Sequence, residues 1–177
     1  MTAPVDSAGA TLFTYDGDNR LIQQTYPDGT VVGYTYDAAG RPQTKSEPGL
    51  PTTTYGYDVG GRLKTVSNGL LGQFTYSYDA ASRLTALGDP NGITTTYNLD
   101  NDNRVRGISE AKGANTLLSD SFSYVKPDGT MGSQRMAETR TDNGVASAWS
   151  YSYDPDARLT GATVTGTGAT ATTRWAT

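Results

Sequence analysis

The chain has 177 residues and a formal net charge of −4, and it contains neither cysteine nor histidine. The lack of cysteine excludes disulfides and thiolate chemistry, and the lack of histidine removes the commonest general base and metal ligand. An acidic chain with evenly spaced basic residues is unsuited to binding nucleic acid, and no stretch approaches the roughly 20 apolar residues that a membrane span needs.

Residues 1–11 are expected to form a short segment ahead of the main domain. This segment has no basic start and no apolar stretch, so it does not have the pattern of a signal peptide. The rest of the chain is rich in Gly and Tyr, with 21 and 12 residues, and Thr and Ser are frequent. Because β-branched and aromatic side chains suit a pleated sheet and Gly suits turns, this composition favours an all-β fold.

From residue 12 onward the chain repeats the pattern aromatic-x-Tyr-Asp-x-x-x-Arg-Leu with a period of 21 residues. Two later intervals are longer, and the sixth copy keeps the aromatic residues Phe122 and Tyr124 but has Val125 in place of Asp. A fixed period of this kind indicates a tandem-repeat architecture. The repeat positions that we expect to be structural are Tyr15, Asp16, Arg20, Tyr36, Asp37, Arg41, Tyr57, Asp58, Arg62, Tyr78, Asp79, Arg83, Asp100, Arg104, Tyr153, Asp154 and Arg158.

Each repeat is predicted to form two strands and two turns. The aromatic pair places two rings on one sheet face, and the following Asp opens a turn because its carboxylate accepts a backbone N–H two residues on. The residue before Arg, such as Asn19 or Gly40, is of a type that adopts the left-handed conformation. A second turn closes the unit, as at residues 27–29 and 127–129. The extra residues of the longer intervals are expected in loops, at 110–115 and 142–146.

The predicted fold is a long antiparallel β-meander of about fourteen strands spanning residues 12–160. Because twisted open sheets rarely exceed about ten strands without curling, we expect this one to bend into a curved or spiralling wall with a thin core. Residues 161–177 form a Thr-, Ala- and Gly-rich tail, interpreted either as a last irregular strand or as a disordered remnant, and Trp175 indicates that its end docks somewhere.

The motifs Tyr-Asp-Ala-Ala-Gly-Arg at residues 36–41 and Tyr-Asp-Ala-Ala-Ser-Arg-Leu at residues 78–84 closely resemble the YD repeats of Rhs proteins. The same repeats occur in insecticidal toxin-complex components and in the shells of teneurins, and the resemblance covers residues 12–160. It implies a β-sheet that spirals into a hollow shell around a toxin polypeptide or other cargo, in a secreted or cell-surface and typically bacterial protein. Larger members end in a self-cleaving core motif, whereas residues 154–159 are another repeat copy.

Three site hypotheses compete with a purely architectural interpretation of the repeat. The Asp and Arg positions are interpreted as a turn-closing pair rather than as a catalytic ladder, with Arg also able to cover a Tyr ring. Residues 16–19 and 98–103 contain alternating oxygen ligands but lack the Gly and Glu of a calcium hand. The Tyr stripe either packs across strands or binds sugars.

The sequence therefore predicts a structural, non-catalytic shell segment with no catalytic residue, metal or cofactor. Its expected partners are a polypeptide cargo or neighbouring shell segments. The alternatives are an adhesion module that binds a glycan or a receptor, and a filament or tube subunit that assembles through homo-association of its free sheet edges. Neither nucleic acid nor a membrane span belongs to any of these hypotheses.

Overall fold

The computed structural model describes the backbone of residues 9–166 and 169–174 and the side chains of residues 9–166. The described residues form fifteen β-strands and contain no helix. The chain divides into two compact units, Met1–Tyr76 and Ser77–Thr177. The all-β class is thus confirmed, whereas the suggestion about Trp175 concerns a residue outside the described part.

In the first unit, each strand pairs antiparallel with the next strand in the chain. These pairings confirm the predicted meander, because the order of strands in space follows their order in sequence. The strands of this part are β1 (Leu12–Tyr15), β2 (Leu21–Thr25), β3 (Val31–Tyr36), β4 (Pro42–Glu47), β5 (Leu50–Tyr57), β6 (Leu63–Asn68) and β7 (Gly72–Tyr78), whose last two residues belong to the second unit.

The second unit continues the same arrangement, again with antiparallel pairing between consecutive strands. Its strands are β8 (Leu84–Gly88), β9 (Ile93–Leu99), β10 (Val105–Lys112), β11 (Asn115–Ser123), β12 (Ala137–Asp142), β13 (Val145–Tyr153), β14 (Leu159–Gly166) and β15 (Ala169–Arg174). The predicted pairing of two strands per repeat is therefore confirmed in both units, while the curling of the sheet stays a prediction.

The two faces of the sheet differ in side-chain size. On β3, Tyr34 and Tyr36 share one face, and Gly33 and Thr35 lie on the other. The small face brings hydroxyls together across the strands, as between the Oγ1 atoms of Thr35 and Thr44, which are 2.7 Å apart. Small and bulky residues therefore alternate along the strand, so one face carries small side chains and the opposite face carries the bulky ones.

The hydrophobic core is thin. Among the described residues, the buried hydrophobic side chains are Val32, Phe122 and Tyr124. Most other apolar side chains are half-buried by their neighbours on the same face. Stability in such a sheet comes mainly from contacts between adjacent repeats, as in other repeat proteins.

The expectation that loops absorb the extra residues at 110–115 is wrong. Residues 110–112 belong to β10, and a loop of only two residues, Gly113 and Ala114, joins it to β11. Longer strands accommodate these residues because every added pair satisfies backbone hydrogen bonds within the ladder. At 142–146 the loop is again two residues, Asn143 and Gly144, both with positive φ.

The irregular connection lies elsewhere, at residues 124–136 between β11 and β12. It contains the 127–129 turn, which was expected to close a repeat. In the structure this turn instead follows the aromatic pair Phe122 and Tyr124, in the place where other repeats have their Asp-opened turn. The substitution of Val125 for Asp and the Pro-Asp-Gly sequence that follows account for the exchange.

Candidate functional site

The Asp of each regular repeat opens a hairpin loop with one recurring backbone geometry. In the first copy, the N–H of Asn19 donates to the carbonyl of Asp16 at 3.0 Å, and the N–H of Asp16 donates to the carbonyl of Arg20 at 3.0 Å. Asn19 has a φ of 61°, which completes a type I turn followed by a left-handed residue. We call this loop, from Asp to Arg, the Asp turn. The other Asp turns begin at Asp37, Asp58, Asp79, Asp100 and Asp154.

The Asp carboxylate holds the turn together from inside. The Oδ1 of Asp16 accepts the N–H of Asp18 at 3.0 Å and that of Arg20 at 2.9 Å, while its Oδ2 accepts the Nε of Arg20 at 2.7 Å. One carboxylate therefore satisfies two turn amides and pairs with the guanidinium of the same turn. The same three bonds occur in the turns that begin at Asp37, Asp58, Asp79 and Asp100.

These hydrogen bonds favour the ionised form of the carboxylate. The backbone N–H of Arg20 is the largest influence that lowers the pKa of Asp16, and the Arg41 side chain is the largest one that lowers the pKa of Asp37. For Asp100, burial is the largest influence and acts upward, yet its bonds to Arg104 leave the pKa lowered. The pKa values of Asp58 and Asp79 are lowered by the same backbone and side-chain bonds.

The arginine of one Asp turn also contacts the tyrosine of the next repeat. The guanidinium carbon of Arg41 lies 4.3 Å from the ring centre of Tyr57, and the Tyr57 hydroxyl donates to the carbonyl of Pro42 at 2.8 Å. Arg20 and Tyr36 are arranged in the same way, with a ring distance of 5.1 Å. We call this combination the Arg–Tyr contact, and it joins consecutive repeats through both a cation–π interaction and a hydrogen bond.

In the second unit the Arg–Tyr contact is present in the irregular copy that contains Tyr124, and it is replaced by a hydrogen bond in the copy that contains Leu99. Arg104 lies 5.0 Å from the ring centre of Tyr124, whose hydroxyl donates to the carbonyl of Val105. Where Leu99 replaces the tyrosine, Arg83 donates instead to the carbonyl of Asp100 at 2.6 Å. The guanidinium therefore reaches the following Asp turn even where no ring is present.

In five of the hairpins that an Asp turn closes, the structure also shows a β-bulge beside the turn, which the sequence did not predict. Tyr15 pairs with Leu21 and Thr14 with Gln23, so Ile22 is an extra residue on β2. Bulges increase the right-handed twist of the strands. No compositional signal marks the position; only the register of the pairing reveals it. The equivalent extra residues are Gln43, Lys64, Arg106 and Thr160.

The last Asp turn lacks half of these contacts. The Oδ1 of Asp154 accepts the N–H of Arg158 at 2.8 Å, but the Arg158 side chain is 76% exposed and lies near Asp156 instead. The preceding arginine, Arg135, has its guanidinium carbon 3.9 Å from the ring centre of Phe122 rather than over Tyr153. The Tyr153 hydroxyl still donates to the carbonyl of Arg135 at 2.7 Å.

The acidic side chains of the Asp turns are not arranged to bind a metal ion. Within residues 9–166, no group of three or more acidic side chains is placed to hold a metal ion. The second carboxylates of the alternating sets, Asp18 and Asp102, pair with Arg20 and Arg104 at 3.0 and 2.8 Å. These side chains are thus engaged in structural ion pairs.

In the part of the chain that the structure describes, no helix is long and apolar enough to cross a membrane.

Comparison with known protein families gives a match that agrees with this geometry. The family model described as RHS Repeat matches residues 15–49, 61–94 and 78–114, which together span half of the chain. A search of curated protein sequences found no match.

Three similar solved structures contain TcdB2-TccC3. A structure titled TcdB2-TccC3 without hypervariable C-terminal region matches with a TM-score of 0.70 and 18% identity, covering 93% of this chain and 9% of that one. Structures of TcdB2-TccC3-Cdc42 and TcdB2-TccC3-TEV match with TM-scores of 0.69 at 19% and 18% identity, each covering 93% of this chain and 10% of the other. The chain thus spans about a tenth of the length of the structures it matches. With its recurring Asp turns and its match to the repeat model, the chain belongs to the RHS (YD) repeat family.

Proposed function

We propose that this chain is a structural, non-catalytic wall segment of an Rhs-type shell, which encloses or displays another polypeptide. The observation that carries the proposal is that the Tyr, Asp and Arg positions that recur in the repeat are used for contacts within and between repeats. Arg41 and Tyr57 join one repeat to the next, and Asp37 holds Arg41 in place. Because these side chains are engaged in contacts within and between repeats, they are not free to act as catalytic groups. The chain also has no histidine to act as a general base.

The thin, single-layer construction supports a wall rather than a compact binding domain. Few side chains are buried, so the sheet depends on pairing with its neighbours along the repeat direction. The match to the RHS Repeat model and the likeness to the TcdB2-TccC3 structures support a secreted or surface-exposed assembly as the location of the chain. Its partners are then a polypeptide cargo and neighbouring shell segments.

Association with neighbouring segments is further favoured by the first strand. On β1, Leu12 is 63% exposed, Phe13 44% and Tyr15 53%. Among the described strands β1 pairs with β2 alone, and an edge strand with exposed apolar side chains favours pairing with another strand. A neighbouring repeat placed there would cover Tyr15 as Arg20 covers Tyr36.

The adhesion alternative receives less support, because two of the rings that would stack on a sugar, Tyr36 and Tyr57, are already covered. Tyr36 and Tyr57 each carry a guanidinium on the ring and donate their hydroxyls to backbone carbonyls. A sugar would have to displace these contacts.

The proposal is tested by presenting the purified chain to a glycan array and to an immobilised, permanently unfolded model polypeptide. We expect retention on the polypeptide and none on the glycans. Retention on a defined glycan that disappears in Tyr57→Ala, with the far-ultraviolet circular dichroism of the sheet unchanged, would overturn the shell assignment in favour of adhesion. Negative-stain electron microscopy separates the filament alternative, since long regular fibres are expected only from that one.

A further inference from the structure

A cavity of about 510 Å³ lies in the second unit, between the 126–130 turn and the last Asp turn. Its lining residues include Tyr151, Tyr153 and Met136 and the acidic residues Asp128 and Asp154. We call this cavity the Tyr153 pocket. It combines aromatic surface with carboxylates at the place where the regular repeat is interrupted.

The same surroundings hold a guanidinium elsewhere in the chain. Arg20 covers the ring of Tyr36, and its Nη1 lies 3.6 Å from the position that a Cβ on Gly40 would take. Arg41 relates to Tyr57 and Gly61 in the same way. In repeat register, Tyr153 corresponds to the tyrosine of these contacts, and Ala157 to the glycine. Both residues line the Tyr153 pocket.

The side chains that would supply a guanidinium to this place are turned elsewhere. Arg135 covers Phe122, and Arg158 is exposed, with its Nη1 3.6 Å from Asp156. Among the described side chains, none donates to the Oδ2 of Asp154, and no arginine covers the ring of Tyr153. In the regular repeats the Tyr ring is covered by the arginine of the preceding turn, and the Oδ2 of the Asp is bonded by the arginine of its own turn. Both of these arginine positions are open at Tyr153 and Asp154 among the described side chains.

We propose that the Tyr153 pocket binds the guanidinium group of an arginine side chain from a partner polypeptide. The planar cation would stack on the Tyr153 ring and donate to the Asp154 carboxylate. It can also donate to the Asp154 carbonyl, as Arg83 does to the equivalent carbonyl of Asp100 at 2.6 Å.

The charge balance of the pocket favours a cation. Two acidic residues, Asp128 and Asp154, face one basic residue, Lys126, among its lining side chains. The side chain of Lys126 lies against Gly132, since a Cβ atom placed on Gly132 would be 3.1 Å from the Cε of Lys126. A guanidinium suits the site better than an ammonium group because it is flat and forms two parallel hydrogen bonds. The inference goes beyond the shell assignment and does not depend on it.

The test is a titration of the full chain with N-acetyl-arginine methylamide at low salt, followed by nuclear magnetic resonance. We expect the ring signals of Tyr153 and the methyl signal of Ala157 to shift, with the neutral isostere N-acetyl-citrulline methylamide producing no shift. The lysine analogue should bind more weakly.

Matched variants separate the pocket from general charge. Asp154→Asn keeps the acceptor for the Arg158 N–H and should weaken arginine binding about five-fold, the equivalent of roughly 1 kcal/mol. Asp156→Asn makes the same charge change in the same turn outside the pocket lining and should leave the affinity unchanged. Tyr153→Phe keeps the ring and should retain binding, whereas Tyr153→Leu should abolish it.

Arg158→Ala removes the nearest internal competitor and should leave binding intact or tighten it. The proposal is overturned if neither the natural chain nor Arg158→Ala responds to the arginine analogue. Equal loss in Asp154→Asn and Asp156→Asn, or binding of citrulline as strong as that of arginine, would also overturn it.

Discussion

The Asp turn at Asp37 and the one at Asp154 have the same backbone hydrogen bonds but very different side-chain contacts. At Asp37, the carboxylate binds Arg41, and Arg41 in turn covers Tyr57. At Asp154, the backbone turn closes in the same way, yet Arg158 extends into solvent and no arginine among residues 9–166 covers Tyr153. The comparison shows that the turn conformation does not require the ion pair. Nor does the ion pair require a tyrosine, since Asp79 binds Arg83 in the repeat where Leu99 takes the place of the ring and the guanidinium donates to the carbonyl of Asp100 instead.

The largest expected effect comes from removing the ring at the two tyrosines. Tyr57→Ala loses ring packing, the covering guanidinium and the bond to Pro42, so we expect its free energy of unfolding to fall by about 2 kcal/mol. Tyr153→Ala lacks a covering arginine and should cost about 1 kcal/mol. Urea unfolding followed by circular dichroism gives both values. Equal losses at the two sites would contradict the claimed difference.

A second comparison concerns the left-handed residue of the turn. Ala157 has a φ of 65°, whereas Gly61 occupies the same position with a φ of 80°. Since a Cβ is disfavoured in this conformation by roughly 1–2 kcal/mol, Ala157→Gly should stabilise the chain by about 1 kcal/mol. The reverse change, Gly61→Ala, should destabilise it by a similar amount, and more if the new methyl group crowds Arg41, whose Nη1 lies 3.3 Å from the Cβ position. The urea midpoints should move in opposite directions.

The arginines offer a smaller contrast. Arg41→Ala removes both the bond to Asp37 and the cover of Tyr57, and we expect a loss of about 1 kcal/mol. Arg158→Ala, at an exposed side chain, should change the unfolding free energy by less than about 0.5 kcal/mol. Thermal unfolding of the two variants in parallel tests this ranking, which a larger effect at Arg158 would reverse.

The smallest expected effect is the response of the regular turns to acid. The pKa of Asp37 is lowered in the folded chain, so its stabilising contribution is fully present above the unfolded value of about 3.9. As the pH falls below about 4 and through the folded pKa, the carboxylate is protonated and this contribution is lost. Unfolding midpoints measured from pH 6 to pH 2.5 should fall less steeply in Asp37→Asn than in the natural chain. Arg41→Gln, which removes the leading cause of the lowered pKa, should also flatten the curve, and an unchanged slope in both variants would contradict the assignment.

Much of the architecture was predictable because every repeat contains the same turn-forming residues. The Asp of each turn has a short side chain that caps nearby amides, and residues such as Asn19 and Gly40 accept positive φ; both are properties of the local sequence. The extra residue at Ile22 and its equivalents was not predictable, because a bulge depends on how two strands align rather than on the type of residue. The 127–129 turn was placed at the wrong end of a strand for the same reason, since a Pro-Asp-Gly loop can join either pair of strands.

The sequence by itself determined the all-β class, the antiparallel meander of two-strand repeats and the family. Every 21 residues the sequence repeats the same turn-forming residues after the Asp, and this recurring local preference restricts the backbone to the same turn each time. Only the tertiary structure decided which arginine contacts which ring. Arg41 reaches the tyrosine of the following repeat, while Arg135 covers Phe122 and leaves Tyr153 open. The physical reason is that a long, flexible guanidinium side chain takes the aromatic surface that the packed neighbours present, and this surface exists only once the strands have paired.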